Sequence, residues 1–393
     1  MASATDSALN WYSRRLAQEM LRIGVGVSIV GPRSANDERR WDDEGVTVFP
    51  SYRRGSLFSL FQAFRGVVRA NNRVVHVQHE LFAFGNLANA VLFPLLLWCL
   101  RLRGHRLLTT VHGIIPLSKM SDSFVRKNRI PGNVFTARLL WRVLIALISR
   151  LSHKVHVHEQ FLCDLLESEY GVPPSRIVTI PLGVEPVLPR IGKGDARRAL
   201  GLPGDAEVAL FFGYLSAYKG IDYLFSELPN MLASRPRLHM VIAGDVPHRL
   251  LGSINPGNIV ASLPTGSDRV HFLGFIPDEL RQNVFGAADV LLLPHTIAMS
   301  SSGPLALAAG YDVPVLISRV LRCALPEAQI SFDHKPNELV RAINQFFDDA
   351  RARVLSYEVL ERLRISRSWS TVAHSLCYVY AELGDHSGVL QAP

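Results

Sequence analysis

Two stretches in the second half of the chain carry residues suited to holding an anion. In FFGYLSAYKG, residues 211–220, an apolar run ends at Gly213 and Lys219 stands where the next helix begins. The helix dipole disfavours a lysine at that end, so its presence makes sense if it faces a negative group. A solvated lysine touching nothing is the other reading. In VLLLPHTIAMSSSGPLALAAGYDVPVLIS, residues 290–318, an apolar run ends at Pro294 and a small-residue loop runs from Ser300 to Gly303. Pro304 then opens an alanine-rich helix that Gly310 closes. Glycine before a helix-opening proline suits N-cap and N1 positions. The amides of Ser302 and Gly303 are then free to hold phosphate oxygens. A lysine charge paired with a helix N-terminus meets the charge of a diphosphate.

These residues need elements to position them. The first half reads as helix 9–22, strand 25–30, strand 46–49, helix 56–69, strand 74–78, helix 87–103 and strand 107–111, then helix 135–151, strand 155–158, helix 159–170 and strand 177–181. Polar residues gather at two of its strand ends, His76, His79 and Glu80 after one and His112 after another. Residues 114–133 show no clear pattern. The second half reads as strands at 207–212, 238–243, 270–273, 290–293 and 314–317, with helices at 219–233, 278–287, 303–310, 336–349, 351–364 and 369–383. Such alternation argues for parallel sheets covered on both faces, with ligands beyond the carboxyl ends of the strands. Residues 183–206 are rich in glycine and proline and mark the domain boundary.

Composition narrows the classes. Of 393 residues, 48% are hydrophobic and 19% charged, an ordinary soluble balance for two or more domains. Residues 1–190 hold 24 Lys+Arg against 14 Asp+Glu, and residues 191–393 hold 18 against 20, so the excess of +8 lies wholly in the first half. Either a solvated basic face or an anionic partner explains it. Four scattered cysteines without Cys/His ligand spacing argue against a metal site and for reduced thiols in a cytoplasmic setting. The first twenty residues are polar and do not read as a signal peptide. Leu87–Leu100 is strongly apolar but too short to span a bilayer, and Arg101 and Arg103 follow it. It reads as a buried core helix or as an interfacial one. No GxGxxG follows a strand, which speaks against a dinucleotide enzyme, and no aromatic-interleaved basic motif suggests nucleic acid.

The motifs together resemble a known family. FFGYLSAYKGIDYL, LHMVIAG (238–244), VHFLGFIPDELRQNVFGAADVLLLP (270–294) and SSGPLALAAGYDVPVLIS (301–318) are similar to the donor half of family 4 (group 1) glycosyltransferases. VVHVQHE (74–80), LLTTVHG (107–113), KVHVHEQFLCDLL (154–166) and IVTIPLGVE (177–185) resemble the acceptor half in matching order, and Ser368-Trp369 resembles the closing segment. The resemblance implies the α/β GT-B fold, two Rossmann-like doubly wound domains facing across a cleft. Residues 1–186 would bind the acceptor, 187–365 the nucleotide sugar, and 366–393 would cross back to the first domain. The family's first strand and glycine-rich loop would lie upstream of Met1.

Carried over by position, Gly213, Lys219, Ser302 and Gly303 would bind the donor diphosphate. His112 would be the catalytic-side residue, near the transferred sugar or the acceptor hydroxyl, with His79 and Glu80 as acceptor-side candidates. No metal or cofactor is expected. The chain departs from the family where two glutamates commonly stand, here Ile297 and Leu305, and where an arginine accompanies the lysine, here Ser216 or Tyr214. The implied function is retaining transfer of a sugar from a nucleoside diphosphate to a glycan or lipid-linked glycan in cell-envelope or exopolysaccharide synthesis. Arginines 101, 103, 126, 129, 138 and 142 would suit an anionic membrane surface at the inner face. A non-catalytic GT-B protein that binds a glycan, nucleotide or partner enzyme is the alternative. Donor and acceptor identity would depend on loops such as 114–133 and 245–268.

Overall fold

The computed structural model describes residues 8–33, 41–80, 83–127, 130, 132–189, 191–246 and 267–384. Helix α1 (Ala8–Arg22) is followed by β1 (Ser28–Pro32), β2 (Trp41–Asp43), β3 (Val46–Tyr52), α2 (Ser59–Ala70), β4 (Val74–His79), α3 (Leu87–Leu102) and β5 (Arg106–Val111). Then come α4 (Asp122–Lys127), α5 (Val134–Leu151), β6 (Lys154–Val157), α6 (Gln160–Ser168) and β7 (Ile177–Thr179). The second half contains α7 (Lys193–Ala199), β8 (Glu207–Phe212), α8 (Ile221–Ser234), β9 (Leu238–Ala243), β10 (Val270–Gly274) and α9 (Arg281–Ala287). It continues with β11 (Val290–Leu293), α10 (Gly303–Tyr311), β12 (Val315–Ser318), β13 (Ser331–Phe332), α11 (Glu338–Asp348), α12 (Ala350–Ser366) and α13 (Trp369–Gly384).

The chain forms two compact units, one of Met1–Asp122, Pro131–Leu182 and Trp369–Pro393, the other of Ser123–Ile130 and Gly183–Ser368. In the first, β4-β5-β6-β7 make a parallel sheet, and β1-β3-β2 a smaller one in which β2 runs antiparallel. Tyr12, Leu16 and Met20 of α1 meet Trp369, Val372, Leu376 and Leu383 of α13 over Leu108 and Ile180. On the other side of β5 lie α3 and α5.

The second unit has one parallel sheet in the order β10-β9-β8-β11-β12-β13. Its strands bury both faces. Val208, Leu210, Val241, Leu291, Leu293 and Ile317 join one core with α9, α10 and α12. The residues between them, Ala209, Phe211, Met240, Ile242, Leu292 and Leu316, join the other with α8 and α11. A strand buried on both faces must be a continuous apolar run, and that is why these strands were legible. The order reverses between β8 and β11, the position beyond whose carboxyl ends ligands of such sheets bind.

Three sequence expectations need correction. The strand expected at 25–30 begins at Ser28 because α1 ends in a Schellman cap. Gly24 takes φ +82°, its N–H bonds the Leu21 carbonyl at 2.9 Å, and the Val25 N–H bonds that of Met20 at 2.9 Å. The patternless segment 114–133 holds α4, whose Phe124 and Val125 are buried. The glycine-rich boundary 183–206 holds α7, which glycines at 192 and 194 conceal from a propensity reading. Of the loop 245–268, residues 247–266 lie outside the described residues, as does Arg129.

Tertiary contacts hold α7. The Asp289 carboxylate accepts from Arg197 at 2.8 Å, from Lys193 at 2.6 Å and from the Val208 N–H at 2.7 Å. Removing a carboxylate from a largely buried pair strands its partner cation. Asp289→Ala is therefore expected to lower stability by about 3 kcal/mol in urea denaturation. A loss no larger than a surface pair's, below about 1 kcal/mol, would contradict this account.

Candidate functional site

At the reversal point of the second sheet, β8 is followed by Gly213 in the left-handed region with φ +117°. A Cβ there would stand 2.5 Å from Lys219 Nζ and 3.6 Å from Pro304 Cγ. Lys219 and the first turn of α10 thus converge on the bare backbone of Gly213. The lysine lies in the 3-10 turn Ala217–Lys219. The residues after β11 clamp that turn. Gly220, at φ +75°, lies so close that a Cβ would fall 1.7 Å from the Pro294 carbonyl oxygen. The Thr296 N–H bonds the Tyr218 carbonyl at 2.8 Å, and the Thr296 hydroxyl donates to the Ala217 and Tyr218 carbonyls at 3.2 Å.

The opposite wall is the start of α10. Ser302 is its N-cap, with Oγ accepting from the Leu305 N–H at 3.3 Å, and Pro304 stands in the first turn. Burial lowers the Lys219 pKa to about 8, with no carboxylate opposing the shift. His295, 7% exposed, lies close enough that burial first and the Lys219 charge second push its pKa down to about 3. Its Nδ1 and the Ser216 Oγ are both buried without a hydrogen-bond partner. A positive, desolvated point beside a helix N-terminus suits an anion by charge and by dipole.

The first unit holds a second polar constellation. Thr110 and His156 lie in register on β5 and β6, and His76 reaches the row from β4, two residues before the Gln78 that pairs with Thr110. One proton direction satisfies the row. Tyr380 donates to His76 Nδ1 (2.6 Å), His76 Nε2 to Thr110 Oγ1 (2.5 Å), Thr110 to His156 Nδ1 (2.7 Å), and His156 Nε2 to the Ile180 carbonyl (2.8 Å). This order is assigned from the acceptor at its end. Further along the strands, His112 meets Gln78 Oε1 through Nε2 at 2.8 Å and His158 Nε2 through Nδ1 at 3.2 Å. The Tyr12 ring packs edge-on against both His112 and His158.

Residues 9–188 match the family model for Glycosyltransferase Family 4, and residues 206–349 that for Glycosyl transferases group 1. The chain belongs to the family 4, group 1 glycosyltransferases. It is 26% identical over 297 residues to the D-inositol 3-phosphate glycosyltransferase of Kineococcus radiotolerans, covering 69% of this chain and 65% of that protein. For the protein of that name from Acidothermus cellulolyticus the figures are 26% over 287 residues, 69% and 61%. The chain thus spans less than two thirds of the length of these curated relatives. Among solved structures it is similar to sucrose-phosphate synthase from Thermosynechococcus elongatus, with TM-score 0.75 and 20% identity over 96% of this chain and 94% of that one. It is also similar to HepE from Anabaena in complex with UDP-glucose, with TM-score 0.70 and 15% identity over 97% and 98%. These likenesses establish the GT-B fold.

In this family 4 chain, Gly213 and Lys219 meet the helix that Ser302 caps and Gly303 begins. Leu305 is buried in the core of the second unit and offers no polar atom, and Ile297 is half-buried. The acceptor-side candidates part company. His79 is 3% exposed, turned against Phe93 of α3, with its Nδ1 buried and unpartnered. Glu80, the next residue, is exposed. His112 is half-buried and engaged at both ring nitrogens. The sequence reading passed over His295, His156 and His158. Histidines in an apolar strand (KVHVH, 154–158) were the available signal, because a buried histidine must find partners.

Burial lowers the pKa of His79 and His156 to about 4 and, with the His156 and His79 charges, that of His112 to about 3. An unfolded histidine titrates near ~6.5. Above that pH both states are neutral and stability is level. Below it the unfolded chain takes up protons that the folded chain refuses. Stability should fall by up to about 1.4 kcal/mol per pH unit for each such histidine as pH drops from about 6.5 to 4. Urea midpoints at several pH values measure this, and constant stability between pH 7 and 5 would refute the neutral network.

Proposed function

We propose that the chain catalyses retaining transfer of a sugar from a nucleoside diphosphate to a hydroxyl of a glycan or lipid-linked glycan. The cytoplasmic face of a membrane is its place of work, in cell-envelope or exopolysaccharide synthesis. The observation that carries this reading is the convergence of Lys219 and the α10 N-terminus on Gly213, at the crevice where the sheet order reverses. HepE, a structure of the same fold, was solved with UDP-glucose, which favours such a donor here.

In this mechanism the diphosphate seats on Gly213, with Lys219 and the Ser302 and Gly303 amides around its oxygens. As the bond from the anomeric carbon to the phosphate oxygen breaks, the leaving oxygen gains charge. Lys219 and the helix dipole oppose that charge, lowering the barrier. The acceptor hydroxyl oxygen bonds to the anomeric carbon from the same face, and its proton passes to the leaving phosphate. No step requires a metal or cofactor. His112 is neutral throughout, so it serves as a hydrogen-bonding group and not as an acid. To take a substrate hydroxyl it exchanges the Gln78 amide for it. Glu80, exposed just past β4, is the acceptor-side carboxylate, and His79 supports the strand end from the core.

A second reading, a donor-binding protein without turnover, is favoured by buried Leu305, which leaves the ribose without the family's usual carboxylate. Calorimetry and product assays with UDP-, GDP- and ADP-glucose separate the two. Lys219→Ala is expected to cut turnover about 10²-fold or more. Wild-type donor affinity should weaken as pH rises through 8, where the free ammonium loses its proton. Binding without any transfer selects the second reading, and no binding of any donor sinks both.

A further inference from the structure

Helix α3 is apolar around its whole circumference. Ala90, Phe93, Leu97 and Leu100 are buried beneath it, whereas Leu87, Val91, Leu95, Trp98 and Leu102 are 43–68% exposed. The outward set is spaced four, four, three and four residues apart, so it forms one stripe. An all-round apolar helix belongs in surroundings that cover every side. Its neighbour α5 repeats the feature with Phe135, Leu139, Val143 and Leu147 exposed, again one residue per turn. On its other flank, Phe58 and Phe61 are exposed at the start of α2. Contiguous apolar surface on this scale marks an interaction site.

The charge on the same helices selects the partner. Arg65 and Arg69 of α2, Arg101 at the end of α3, and Arg142 and Arg150 of α5 are exposed, and none of the three helices contains an acidic residue. Across residues 51–150 there are fifteen Lys+Arg against two acidic residues, Glu80 and Asp122. Two copies of this face would set arginine against arginine, which opposes self-association. An anionic bilayer offers both phosphates and hydrocarbon. At 16 residues α3 is about 24 Å long, less than the roughly 30 Å of a bilayer core. No described helix is long and apolar enough to cross a membrane. Trp98 in mid-stripe suits the headgroup level.

We propose that α2, α3 and α5 form a bilayer-docking face that lies flat on anionic lipid, apolar stripes in the acyl boundary and arginines on the headgroups. The proposal rests on the reading that the acceptor is presented at a membrane, and it adds the surface and the lipid charge.

Sedimentation with vesicles tests it, using full-length protein with phosphatidylcholine alone and with equal parts phosphatidylcholine and phosphatidylglycerol. The wild type should pellet with the anionic vesicles, release as salt rises, and partition at least tenfold less onto phosphatidylcholine. Leu95→Glu with Leu139→Glu should abolish pelleting, and Arg101→Glu with Arg142→Glu should weaken it by at least fivefold. Circular dichroism checks that each variant is folded, and the exposed arginine pair supplies the test if the leucine pair misfolds. Wild-type protein that ignores anionic vesicles overturns the proposal, as do variants that bind like wild type. A dimer in sedimentation velocity that Leu95→Glu dissociates, without vesicle binding, also overturns it. UDP-glucose calorimetry on the same samples keeps the readings apart, because donor binding without vesicle binding rejects the docking face alone.

Discussion

The contact between Gly220 and Pro294 governs the geometry around Lys219. Backbone there approaches backbone so closely that any side chain at position 220 would overlap the Pro294 carbonyl. That approach seats the Ala217–Lys219 turn on the end of β11, and Thr296 fastens it with bonds to Ala217 and Tyr218. Lys219 is thereby carried over Gly213 to the start of α10. An ammonium held where water is scarce and no carboxylate is near has a lowered pKa, a setting that favours an incoming anion. His295 shares that field and stays neutral.

The first unit solves a different problem. Five histidines lie at or past the middle of its central strands, and four of them are fixed by hydrogen bonds to one another, to Thr110, Gln78 and Tyr380, and to the Ile180 carbonyl. In the row from Tyr380 to Ile180 each bond uses one lone pair or one proton of a neutral ring, and the His112–His158 pair is satisfied by neutral rings when the Gln78 amide is turned to donate. A protonated ring would present two donors and disrupt the order, so burial and network both keep the imidazoles uncharged. The same arrangement that stabilises the sheet ends sets the chemical character of His112. The two polar clusters therefore differ in character, one built on the Lys219 charge and the other on neutral imidazoles.

Apolar sequence has two destinations in this chain. In the second unit every central strand is apolar on both faces and both are covered. In α3 the pattern is just as continuous, but one side stays exposed. Hydrophobicity alone does not distinguish these cases. The surrounding arginines and the neighbours α2 and α5 do, because they show which face has no protein partner among the described residues.

Much of this was legible in one dimension. Continuous apolar runs at 207–212, 238–243 and 290–293 identify parallel strands because period-two alternation disappears when both faces are buried. Lys219 and Ser302-Gly303-Pro304 are local signals of a helix start, and local signals need no fold to be read. What required tertiary structure was every effect of distance along the chain. Helix α7 depends on Asp289, some 90 residues away, and the start of β1 on the Schellman bonds of α1. The neutrality of His112 depends first on its burial and then on His156 and His79, and the convergence of Lys219 with Pro304 on the strand order. Sequence determines which residues have the right chemistry, because chemistry belongs to the side chain. Only folding decides which of them share a dielectric, a partner or a field, because those are properties of separation in space.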